Sequence, residues 1–123
     1  MAITSGGGGR DRLEEGLASM DNNVYGLLHG GAVEPDELAE ALLRVGWSAR
    51  KASWGEYELT NEWCSFVLGK PGGQLKFAGV VDPDRLDELA AAWTAVAVDC
   101  DLELYEGDRL VRELSASAGE HDG

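Results

Sequence analysis

The chain of 123 residues is short of most residue types on which specialised chemistry rests. It has two cysteines, two histidines and three prolines, and 10 Lys and Arg stand against 23 Asp and Glu. A structural zinc site collects four Cys or His ligands, and the spacing of Cys64 and Cys100 fits no such pattern. Without another sign of an oxidising compartment, the two read as reduced, partly buried thiols of a cytoplasmic, bacterial-type protein. No apolar run approaches the roughly 20 residues that span a bilayer, so no membrane partner is expected. Glycines occupy positions Gly6 to Gly9, where a signal peptide would carry its apolar stretch. Scarce, scattered bases also exclude direct nucleic-acid binding through a broad basic face, because phosphate recognition needs clustered Lys and Arg.

Catalytic constellations are equally thin. A Cys–His nucleophilic pair would need His29 with Cys64 or Cys100, since His121 falls in a polar C-terminal tail, and none of these has a recognisable local setting. His29 beside Gly30 reads as the C-terminal end of a helix, where its ring complements the dipole. The Gly6 to Gly9 run lacks the preceding strand and the following Lys-Ser/Thr of a phosphate loop. Asp99-Cys100-Asp101 places two carboxylates on one side of an extended segment. Without the glycine and closing glutamate of a calcium loop, it reads as a solvated acidic strand edge. The chain is therefore expected to be non-enzymatic, with no catalytic residue, no metal and no cofactor.

Hydrophobic residues make up 44% of the chain, enough for one modest core. Leu13, Leu17, Met20, Val24 and Leu27 recur at helical spacing and predict a first helix of about five turns, stopped by Gly30 and Gly31. Asn22 and Asn23 are poor helix formers within it. Glu34-Pro35-Asp36-Glu37 opens a second helix with Leu38, Leu42 and Val45 inward, and Gly46 ends it. Strand-favouring residues then dominate to Val80, with the turn Lys70-Pro71-Gly72-Gly73 between two alternating runs. Asp82-Pro83-Asp84 opens a helix with Leu86, Leu89, Ala90, Trp93 and Ala97 on one face. A hairpin turning at Glu106-Gly107-Asp108 follows. The predicted order is α-α-β-β-β-β-α-β-β, an α+β fold with helices packed mainly on one face of an antiparallel sheet. It occupies 11–114 as a single domain, between a flexible Gly-rich tail over 1–10 and a polar tail over 115–123.

What the chain has in excess is localised negative charge. Between residues 82 and 108, nine carboxylates face Arg85 alone, a net of −8 within a formal total of −13. Clustered acids repel one another, and a concentrated negative face steers a basic partner. The candidate partner-binding residues are Asp84, Asp87, Glu88, Asp99, Asp101, Glu103, Glu106 and Asp108. Trp54, flanked by Ser53 and Gly55, joins them as an exposed aromatic anchor, whereas Trp47, Trp63 and Trp93 read as core. These features predict an immunity- or inhibitor-type protein, monomer or homodimer, that masks a basic partner such as a toxin domain. A DNA mimic is a further alternative. The order helix–strands–helix–strands from Pro35 to Leu114 resembles the type III secretion chaperone-like fold. That resemblance implies an adaptor dimer holding extended client segments on apolar surface.

Overall fold

In the computed structural model, which describes residues 4–5, 13–29 and 33–117, the stretch expected as one long first helix divides in two. Only Glu15–Ala18 is helical (α1), and Val24–His29 is a strand (β2). In β2, Val24, Gly26 and Leu28 point inward while Tyr25, Leu27 and His29 point outward, the period of two that defines a strand. Gly26 conceals that period in the sequence because its inward position carries no side chain. It must be glycine here, since a β-carbon would collide with the Phe77 ring. Asn23 marks the break. Its side chain donates to the Val81 carbonyl and accepts from the Val81 N–H, both at 2.9 Å, fastening the start of β2 to its neighbour.

The remaining elements follow the predicted order. Pro35–Arg44 is α2, and Ser48–Ser53, Glu56–Thr60, Cys64–Gly69 and Leu75–Val81 are β3 to β6. Leu86–Ala95 is α3, and Asp99–Glu106 and Arg109–Ala116 are β7 and β8. The Pro35 start works as expected, with Glu37 accepting a hydrogen bond from the Glu34 N–H at 2.9 Å. Both helices end sooner than their apolar patterns suggest. Val45 lies past the end of α2 and is 59% exposed, and Ala97 lies past α3 with φ at 66°. Within the span read as an N-terminal tail, Thr4–Ser5 form a short strand (β1) parallel to β3. β8 runs through Ser115 and Ala116, past the expected boundary at 114. The remainder of 1–10, Gly30, Gly31 and His121 lie outside the described residues.

The strands form one sheet in the order β1-β3-β4-β5-β6-β2-β7-β8, antiparallel throughout except at β1. The two strand–helix–strand connections explain why α2 and α3 lie on the same face. β2 and β6 are antiparallel neighbours, and the chain leaves β2 through α2 towards β3 but leaves β6 through α3 in the opposite direction to β7. Right-handed crossovers from antiparallel strands in opposite directions put both helices on the same face. Leu38 and Leu42 of α2 accordingly share one core with Leu86, Leu89 and Trp93 of α3 and the inward side chains of the sheet. At its centre Phe66 lies 4.8 Å from Phe77 and 5.3 Å from Trp93, ring centre to ring centre. On the opposite face, Leu13 and Leu17 from α1 and its approach cluster with Val80, and Ser65 and Thr60, in register beside it, are buried as well.

Candidate functional site

The face opposite α2 and α3 is where charge and apolar surface meet. Register places Val67, Ala78, Tyr25, Glu103 and Glu113 in one row across β5, β6, β2, β7 and β8. A neighbouring row holds Gly69, Lys76, Leu27, Asp101 and Ser115. The members of both rows on β5, β6, β2 and β7 line a trough of about 830 Å³ that also takes in Glu56 and Pro71 on one side and Gly107 and Asp108 on the other, with Glu113 and Ser115 of β8 just beyond its lining. Tyr25 and Leu27 are 41% and 38% exposed, large values for such side chains at the middle of a sheet. Tyr25 meets Tyr105 edge to face with ring centres 5.6 Å apart. Glu103 and Glu113 stand directly opposite each other, an arrangement of like charges that weakens a strand pair.

The structure brings together part of the predicted constellation. Asp101, Glu103 and Asp108 line the trough, and Asp99 belongs to the same outward row of β7. The row is not the strand edge expected from the sequence. β7 lies between β2 and β8, so its carboxylates project from a face. Glu106 is held at the β7–β8 turn by Arg109, 2.8 Å away. Asp84, Asp87 and Glu88 belong to the helical layer, in the turn before α3 and in its first turn. Two of them are paired, Glu88 with Arg85, the base already present in the stretch, and Asp87 with a base from outside it. Arg112 reaches Asp87 from β8, and Arg85 reaches Glu88 at 3.1 Å. Trp54, 92% exposed, sits at the β3–β4 hairpin tip with the Lys51 ammonium 5.0 Å above its ring.

Several trough residues carried no signal in the sequence. Tyr25, Leu27 and Lys76 come from strands, and Glu56 lies outside the acidic stretch, as does Glu113 beside the trough. Alternation through Tyr25, Leu27 and His29 would have exposed the first two had Gly26 not interrupted it.

His29 is not at a helix end. It closes β2, and its Nε2 donates to Asp101 Oδ2 at 2.8 Å while Ser115 Oγ donates to Oδ1 at 2.6 Å. Here the carboxylate stands between the imidazole and the hydroxyl, so the ring is not in position to take the serine proton, as nucleophilic catalysis requires. Cys100 is opposite Leu28 and faces the core, whereas His29 faces outward, which separates the one Cys–His pair that neighbouring strands bring close. Burial pushes the Cys100 thiol up to about 11 and the Cys64 thiol higher still, leaving both as poor nucleophiles at neutral pH. Among the described residues, no group of three or more His, Cys, Asp or Glu converges as a metal site.

The Ser115 hydroxyl and, second, the His29 ring hold the Asp101 carboxyl below the usual aspartate range. A depressed carboxyl stabilises the fold above its ordinary range, and that contribution disappears as pH falls through the lowered value. In a carbon-detected NMR titration Asp101 is expected to titrate below an ordinary aspartate. Ser115→Ala should raise its midpoint more than His29→Ala does. An Asp101 midpoint unmoved by either change would contradict these contacts.

Compared with protein-family models, curated proteins and solved structures, the chain matches none. No helix among the described residues is long and apolar enough to cross a membrane.

Proposed function

We propose that the chain is a non-enzymatic binding protein of the inhibitor or immunity type, which masks a basic surface of another protein with the open face of its sheet. The observation that carries this reading is the meeting of outward carboxylates, Asp101, Glu103 and Glu113, with exposed Tyr25 and Leu27 on a face that α2 and α3 leave bare. Apolar contacts supply affinity there, and the carboxylates supply steering and choice of partner. Free, buried Cys64 and Cys100 are in keeping with a reducing compartment, and the proposal includes a cytoplasmic location. Mimicry of DNA is less well supported, because the acids divide between the sheet face and the helical layer instead of following one line.

Capture on the immobilised chain at low salt, compared among three forms, tests the reading. Wild type and the helical-layer variant Asp84→Lys/Glu88→Lys are expected to retain the same basic protein, which leaves as salt shortens the screening length. The open-face variant Asp101→Lys/Glu103→Lys is expected to retain little of it. Retention by the open-face variant, or loss only in the helical-layer variant, overturns the proposal. A chaperone-like adaptor would use the same apolar patch, and a stable dimer in gel filtration would favour it.

A further inference from the structure

We infer that the partner lays an amphipathic, cationic α-helix in the trough and places an arginine or lysine against the opposed Glu103 and Glu113. This inference rests on the open face being the binding face and adds what occupies it. Backbone hydrogen bonding separates a helix from an extended segment. Every strand of the central sheet is paired on both sides, so its face offers no N–H or C=O groups to a peptide backbone. An extended segment would leave its own groups unmet there and would need a sheet edge. A helix satisfies its backbone internally and brings only side chains.

The dimensions agree. The trough draws on five adjacent strands, β4, β5, β6, β2 and β7, roughly 19 Å across at the usual strand spacing. A helix with its side chains is about 10–12 Å wide. Gly69 and Ala78 keep part of the floor low, and α2 and α3 already pack on the reverse face of the same twisted sheet.

Charge fixes the sign of the occupant. Glu103 and Glu113 oppose each other in register, and Tyr105 donates a hydrogen bond to Glu103 at 3.2 Å. Tyr25, directly across from Glu103, and Tyr105 set aromatic rings beside this pair. A guanidinium or ammonium arriving there relieves the repulsion and gains both carboxylate and ring contacts. Lys76 is the one base lining the trough among the described residues. A second copy of this chain, net −13, would set acid against acid across the same contact.

The test uses the full chain, isotopically labelled, and a synthetic helix of about 16 residues with leucine on one face and arginine on its flanks. A second peptide carries the same residues in scrambled order. The amphipathic helix is expected to shift amides of Tyr25, Leu27, Ala78, Asp101 and Glu103 and to bind at least about tenfold more tightly than the scrambled peptide. Glu103→Gln/Glu113→Gln is expected to weaken it by about tenfold or more while leaving the fold intact, since that change removes a like-charge pair. Open-face shifts that the double variant leaves unchanged overturn the cation seat and leave the binding face standing. Equal binding of both peptides, or shifts confined to the β8 edge, overturns the helix. Shifts confined to the α3 side overturn the inference and the proposed function together, and absence of binding overturns the inference.

Discussion

Gly79→Ala is expected to destabilise the chain by about 3 kcal/mol or more, a loss that urea denaturation would register as a large fall in the transition midpoint. Gly79 sits opposite Phe66 across the β5–β6 ladder, facing the core. A β-carbon there would fall inside the contact surfaces of the Ser65 carbonyl oxygen and the Phe66 Cα. Backbone cannot move aside as a side-chain tip can, so relief requires β5 and β6 to separate locally, with loss of ladder hydrogen bonds. Gly26→Ala meets the Phe77 ring instead, and that ring is held by Phe66 and Trp93. Its cost is therefore also expected to be substantial but smaller. Gly16→Ala, with open space around it in α1, provides the control and is expected to be neutral or to stabilise by up to about 1 kcal/mol. Equal stability of the Gly79 and Gly16 variants would contradict the β5–β6 packing.

Trp93→Ala is expected to cost about 3–5 kcal/mol, the usual range for removing a large buried aromatic. Trp93 is fully buried, with its ring centre 5.3 Å from those of Phe66 and Phe77, at the point where α3 meets the centre of the sheet. Against a total of about 5–15 kcal/mol for a small domain, that loss leaves little in reserve. Trp93→Phe is expected to behave differently. The indole Nε1 is buried without a hydrogen-bond partner among the described residues. Leaving such a donor unmet costs about 1–3 kcal/mol, which phenylalanine avoids while surrendering part of the ring volume. The two effects oppose each other, so Trp93→Phe is expected within about 1 kcal/mol of wild type. Chemical denaturation of the pair checks the core, and an alanine variant as stable as the phenylalanine variant would refute the central place given to this ring.

The aromatics show how far the sequence alone reached. Trp93 followed from helical register with Leu86, Leu89 and Ala90, and Trp47 was legible as core at 6% exposure, whereas Trp63, also expected there, is only partly buried and packs against the core edge to face with Trp47. Trp54 was legible as exposed from its small, turn-forming neighbours. Where the reading failed, the period of the apolar residues was ambiguous. Val24 and Leu27 stand three apart and suit a helix, but only Val24 is buried, and Leu27 faces outward on a strand. The inward position between them is a glycine, chosen by the Phe77 ring some fifty residues away, and a local window does not contain that ring.

Charge divides along the same line. The acid excess over residues 82–108 was visible at once, and so was its concentration. Which acids are paired depended on partners distant along the chain: Arg112 from β8 for Asp87, and His29 from β2 for Asp101. Which acids share a surface depended on the parity of residues in β7 and on α3 lying in another layer.

Scarcity of cysteine, histidine and base, the two proline-initiated helices and the final hairpin were determined by the sequence itself, because composition and local periodicity act within a few residues. The open face was decided only by tertiary structure. The crossovers through α2 and α3 leave antiparallel central strands in opposite directions, and the general preference for right-handed crossovers gathers both helices on one side, so Tyr25, Leu27, Asp101, Glu103 and Glu113 are left together on the other.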